Sequence, residues 1–209
     1  MNVLIKPPKT KLMTAEEFFE FVICPENDGR WLELVRGEVL ELSRPTMPHG
    51  VVCTNVGRIL GNYTFAKRKG FVVSNDAGVI LERHPDTVRG PDLAYFEGVK
   101  TFADLPAKWA ETPPRLAVEI LSPSDRADQI NDKLTDYLDN GVELVWIVDP
   151  GVRTVTVYTQ ENGPRVFTEN QTLTGGAVLP DFQCKVADFF YMPEEVEVKK
   201  PTPRKRKKK

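Results

Sequence analysis

RGPDLAYF, residues 89–96, and RLAVEILSPSD, residues 115–125, decide the reading of this chain. Each contains a short run suited to a buried strand, and each gives one position to a carboxylate where an apolar residue would pack better. Asp92 stands at the mouth of the first strand and Glu119 lies inside the second. A charged group on a buried strand must be paired or hold a cation. Two carboxylates converging from neighbouring strands at one sheet edge make an oxygen-ligand site for Mg²⁺ or Mn²⁺, and a divalent cation relieves their repulsion. The alternative keeps both acids structural, with Asp92 capping a strand end and Glu119 paired to an arginine such as Arg115 or Arg126.

The segment that follows supplies a third group. SPSDRADQINDKLTDYLDNG, residues 122–141, reads as a helix capped by Ser124 or Asp125 and stopped at Gly141. Gln129, Lys133 and Tyr137 fall on one face, beside an apolar stripe of Ile130, Leu134 and Leu138 that suits a sheet. Lys133 then borders the packed face, within reach of the strand end that carries Glu119. There an ammonium can orient a metal-bound water and stabilise charge on a phosphate. Its plain alternative is a solvated lysine paired with Asp136 or Gln129. VELVWIVD (142–149) is the next buried strand, so 115–148 forms a strand–helix–strand crossover. RTVTVYT (153–159) alternates as a further strand after a Pro150-Gly151 turn.

Upstream, TAEEFFEFVI (14–23) starts a helix at Thr14, and WLELVRGEVLELS (31–43) is a hairpin around Arg36-Gly37. PHGVVCTNVGRILGNYTFAKRKG (48–70) is helical and ends at Gly70; FVVSNDAGVIL (71–81) gives one or two strands and RHPDTVRG (83–90) a loop. Residues 97–114 read as loop with a short helix. No repeat is present, and residues 1–191 read as one domain.

Composition narrows the class. The 209 residues are 41% hydrophobic and 28% charged, with no apolar run long enough to cross a membrane as a helix. Three scattered cysteines and an N-terminus without an apolar signal core fit a cytoplasmic protein with reduced thiols. The net charge of −2 conceals a division. KKPTPRKRKKK (199–209) holds eight Lys or Arg and no acid, leaving 20 bases against 30 acids in the rest, a formal −10. The stretch 192–209 therefore reads as a disordered basic tail, either attracting phosphate backbone or aiding solubility.

Taken in order, LELVRGEVLELS, PHG opening a helix, RGPDLAYF, VEILSPSDR, DKLTDYLDNGVELVWIVDP and LPDFQCKVADFF resemble the Uma-two family of restriction-endonuclease-like proteins, within the PD-(D/E)XK nuclease superfamily. The resemblance covers roughly residues 12–190. It implies an α/β fold, a restriction-endonuclease-like mixed central sheet flanked by helices with an N-terminal hairpin. The activity implied is that of a Mg²⁺- or Mn²⁺-dependent endonuclease acting on DNA, with Asp92, Glu119 and the Ile120 carbonyl holding the metal. The superfamily's usual lysine lies two residues after the acid, where this chain has Leu121; the family resemblance moves it to the next helix, as Lys133. Glu38 matches an acid the family carries, and Glu33 in the same hairpin competes for that role of third carboxylate or lysine acceptor. His49 at a helix start suits a phosphate or acid–base role, Tyr137 a bond to a scissile phosphate, and Asp76 a second metal. A homodimer paired through 142–149 or 153–159 would suit cutting both strands. The rival reading is an inactive nuclease-like fold that binds nucleic acid or protein, motivated by Leu121 and the acidic body.

Overall fold

The computed structural model describes residues 3–5 and 12–193. In chain order the elements are β1 (Val3–Ile5), α1 (Ala15–Val22), β2 (Leu32–Val35), β3 (Glu38–Glu41), α2 (Met47–Lys67), β4 (Phe71–Ser74), β5 (Val79–Glu82), β6 (Thr87–Arg89), β7 (Leu93–Phe96), β8 (Leu116–Ile120), α3 (Ala127–Asp139), β9 (Leu144–Asp149), β10 (Thr154–Thr159), β11 (Arg165–Thr168), β12 (Thr172–Gly175) and β13 (Leu179–Lys185). Among the described residues no helix is long and apolar enough to cross a membrane. Residues 194–209, most of the expected tail, lie outside the described residues.

The central sheet has the order β11-β10-β9-β8-β7-β4. Its β8–β9 pair is parallel and every other pair antiparallel, as a crossover through α3 requires. Strand alternation then sorts the side chains. Leu116, Val118 and Ile120 join Val52, Val56 and Leu60 of α2 in the larger core, with Trp146 and Phe189. Ala117, Val145 and Ile147 face the other way and pack with Tyr137, Ile130, Leu134 and Leu138 of α3. Glu119, two residues beyond Ala117, is thereby turned toward α3.

A second sheet, β1-β3-β2-β6-β5, carries the N-terminal hairpin and its own core of Phe18, Leu34, Val39, Ile80 and Val88. The hairpin turns through Arg36 and Gly37, both at positive φ (48° and 79°), the backbone a two-residue turn demands. A Cβ on Gly37 would stand 2.6 Å from that of Leu12. Thr14 caps α1 in a reciprocal box with Glu17, and the Asp86 carboxylate accepts the Ala15 N–H at 2.8 Å.

Three expectations change. RHPDTVRG is not all loop: Thr87–Arg89 is a strand, short and ending in a charged residue, which hides it from periodicity. α3 begins at Ala127, because the Asp125 carboxylate accepts the Ser122 N–H at 2.7 Å and closes a turn instead of capping the helix. β9 and β10 are interior strands, so neither can be a dimer edge; the free edges of that sheet are β4 and β11.

Candidate active site

Asp92 and Glu119 meet where β7 ends its pairing with β8. Leu93 pairs with Val118, which sets Asp92 and Glu119 at the next register position, just past the last pair of the ladder. There the Asp92 side chain takes over from the backbone, its Oδ2 accepting the Ile120 N–H at 2.6 Å. Because N–H and C=O of a strand residue point to the same side, the Ile120 carbonyl also faces Asp92. The Asp92 Oδ1 lies 3.0 Å from His49 Nε2, which α2 presents in its first turn. On the other side, Glu119 accepts from Lys133 Nζ at 2.9 Å and from the Tyr137 hydroxyl at 2.5 Å. Both donors come from α3, one turn apart, so the helical face read from the sequence is the one that docks. All of these side chains except Tyr137 border a cavity of about 80 Å³, together with Asp76, Gln129, Ser122 and Asp125.

Charge is out of balance in this cavity. Burial pushes Glu119 up to about 7, with Asp92 and Glu33 adding to the effect while Lys133 opposes it. Asp76 is likewise pushed up to about 7 by burial and by the Asp92 and Glu119 carboxylates. Burial alone would lower His49, but its bond to Asp92 and the acids around it hold it above the usual imidazole range. The same holds for Lys133, where Glu119 and Glu33 outweigh burial and keep the ammonium charged.

A family model described as "Putative restriction endonuclease", Uma2, matches residues 15–187. The chain belongs to this family. Among solved structures, a chain described as "a putative nuclease belonging to DUF820 from Anabaena variabilis ATCC 29413" is similar in fold, with a TM-score of 0.72. It is 19% identical, and the match covers 85% of this chain and 97% of that one. The restriction-endonuclease-like fold is thereby established. No curated protein matches the sequence.

Within this Uma2 fold the remaining candidates separate. Glu33, not Glu38, reaches the lysine: its Oε1 is 3.2 Å from Lys133 Nζ, and it is 2% exposed. Glu38 shares the hairpin face with Glu33 but stands beside the turn, opposite Val35, and does not line the cavity. Tyr137 is fully buried with its hydroxyl committed to Glu119, so it braces the acid and is closed to a phosphate. His49 is engaged at both ring nitrogens, by Asp92 and, at 3.5 Å, by the Cys53 sulfur. One ligand atom from each of these three residues lies within 4.8 Å of the others, yet burial pushes the Cys53 thiol up, which disfavours the thiolate a metal would need. Neither arginine weighed against the metal reading touches Glu119: Arg115 pairs with Glu143 and Glu97, and Arg126 with Asp128.

One residue at the heart of this network escaped the sequence reading. Arg89, 3% exposed, donates to Glu33 at 2.8 Å and to Asp136 at 2.8 and 2.6 Å, and Asp136 also meets Arg36 at 3.3 Å. The Gly90 N–H gives Glu33 a further bond at 3.1 Å. A chain of buried charge thus runs Glu119–Lys133–Glu33–Arg89–Asp136 across three strands and a helix. The signal for Arg89 was the one already used for the acids, a charge on a buried strand, but RHPDTVRG read as loop concealed it.

Proposed function

We propose that this protein hydrolyses phosphodiester bonds in nucleic acid, DNA foremost, in the cavity between β7, β8, α2 and α3. The observation that carries this reading is the convergence of Asp92, Glu119 and Lys133 from two strand ends and a helix, with Lys133 in place of the residue that Leu121 replaces. Asp92, Glu119 and the Ile120 carbonyl form an oxygen set that suits Mg²⁺ or Mn²⁺. The fit is supported by Glu119 and Asp76, two acids raised to about 7 in one cavity that is short of positive charge. Each Asp92 and Glu119 oxygen has one recorded protein donor, which leaves lone pairs for a cation. A bound cation would lower the pKa of a coordinated water and offset charge on the reacting phosphate.

The protein's own groups do the rest. Lys133 donates to Glu119 and forms an ion pair with Glu33 at 3.2 Å, and its three-hydrogen ammonium can still orient a water or a phosphate oxygen. Tyr137 and Lys133 fix the Glu119 carboxylate from two sides, so its oxygens hold their direction without substrate. His49 and the Ile120 N–H do the same for Asp92. Calorimetric titration with Mn²⁺ tests the reading without a substrate: saturable binding in the wild type, lost in Glu119→Ala, supports it, and equal behaviour of the two proteins refutes it. Nicking or cutting of plasmid DNA with Mn²⁺, abolished in Glu119→Ala and Lys133→Ala, tests the chemistry.

A further inference from the structure

We propose that a single strand of nucleic acid runs from the cavity along the outer face of α2, contacting Arg58 and Arg68 and stacking on Phe65. The identity of the ligand rests on the nuclease reading; the track rests on three independent features.

The first is continuity. His49, Asp76 and Asp92 line both the catalytic cavity and a groove of about 310 Å³ beside α2. Gly57, Ser74 and Leu93 line that groove and also a wider one, about 690 Å³, between α2 and the edge strand β4, which reaches Phe65 and Arg68. From His49 to Phe65 the helix rises about 24 Å, enough for several nucleotides.

The second is charge. α2 contains no Asp or Glu in its 21 residues, whereas α1 carries Glu16, Glu17 and Glu20 and α3 carries four aspartates, on a body of formal charge −10. Among the described residues Lys67 is occupied by Asp181 at 2.8 Å and Lys69 by Glu97 at 3.1 Å. Arg58 and Arg68 are exposed and make no ion pair among the described residues. Two free guanidinium groups on an acid-free helix suit phosphate, which they can bind in a bidentate fork.

The third is Phe65, 88% exposed at the far end of the groove. Thr54, Arg58 and Phe65 share a helix face, so the arginine and the ring stand along one line. An exposed ring, with half-buried Phe71 and Val72 across the groove, suits the faces of unpaired bases, which a duplex hides in its stack. The groove wall is also kept low. A Cβ at Gly50 or Gly61 would meet nothing within 4 Å, so internal packing does not require glycine there, although glycine weakens a helix. Close approach of a ligand backbone explains it.

The test is fluorescence anisotropy of a labelled single-stranded dodecanucleotide with the full chain in chelator, comparing wild type, Phe65→Ala and the pair Arg58→Glu with Arg68→Glu. All three side chains are exposed, and a thermal melt confirms that each variant is folded. Affinity at least about tenfold weaker in both variants, with Mn²⁺ binding retained, is the expected result. Gly61→Leu, which fills the groove at an open position, gives a similar loss. The proposal is overturned by unchanged affinity, by binding confined to duplex, by binding that disappears on deletion of 199–209 but ignores the α2 variants, by a dimer that Phe65→Ala dissociates, or by no binding. In each case the nuclease reading stands or falls separately, on Mn²⁺ binding and DNA cutting by wild type against Glu119→Ala.

Discussion

Lys133 is the residue on which stability and the proposed chemistry meet. It is the only cation bonded to both Glu119 and Glu33 among the described residues, and its side chain is 18% exposed. Lys133→Met leaves two buried carboxylates without their shared partner, so stability falls by about 3–5 kcal/mol in urea denaturation and cutting is lost. Glu119 gives a prediction in pH. Its folded pKa, about 7, lies above the ordinary carboxyl value, so the folded state holds more protons than the unfolded state between roughly pH 4.5 and 7. Its contribution to stability is therefore present at low pH and lost as pH rises to 7. Glu119→Gln removes that dependence, so the variant gains relative to wild type across this window, as denaturation at pH 5, 6 and 7 reads out. Mn²⁺ affinity runs the opposite way, rising through pH 7 as Glu119 and Asp76 ionise, and calorimetry at the same pH values measures it. Asp92, Glu119 and Lys133 were legible because strand alternation and helical spacing fix where a side chain points. The choice of Glu33 over Glu38 was not, because it depends on which end of the hairpin faces α3.

Among the elements, the short strand β6 shows best why part of the fold was hidden. Thr87–Arg89 has no apolar alternation, and what stabilises it lies outside it, in Glu33 on β2 and Asp136 on α3. Arg89→Met takes the cation shared by both buried carboxylates, leaving Glu33 to Lys133 and Asp136 to Arg36, and lowers stability by about 3 kcal/mol in urea. If Arg89 served only to fill space, the methionine variant would melt like wild type. α1 is the opposite case. Its start was plain from Thr14 and Glu17, residues that supply their own capping partners within one turn, and Thr14→Ala costs about 1 kcal/mol by the same measurement. Local hydrogen bonds make an element readable; long-range charge pairs conceal one. The start of α3 lies between these, because Asp125 has two local uses and the structure takes the turn at Ser122.

For the whole molecule the division of charge decides how substrate would be gathered. The described body is acidic outside α2, so the densest source of long-range attraction for a polyanion is the run of eight bases at 199–209, joined on the proposed track by Arg58 and Arg68. These sources differ in kind. A run of bases acts through counterion release, with log affinity falling by about 0.7 per phosphate contact for each tenfold rise in salt on a single strand. Stacking on Phe65 and the oxygen set of the cavity depend on salt far less. Deleting 199–209 therefore weakens oligonucleotide binding strongly at low salt, flattens the slope of log affinity against log salt, and leaves the two proteins converging as salt rises. Anisotropy titrations across a salt series measure this, and Mn²⁺ titration of the deletion variant should match wild type, since no cavity residue is touched. If instead the slope is unchanged, the tail makes no phosphate contact and its role is solubility, the alternative that composition left open.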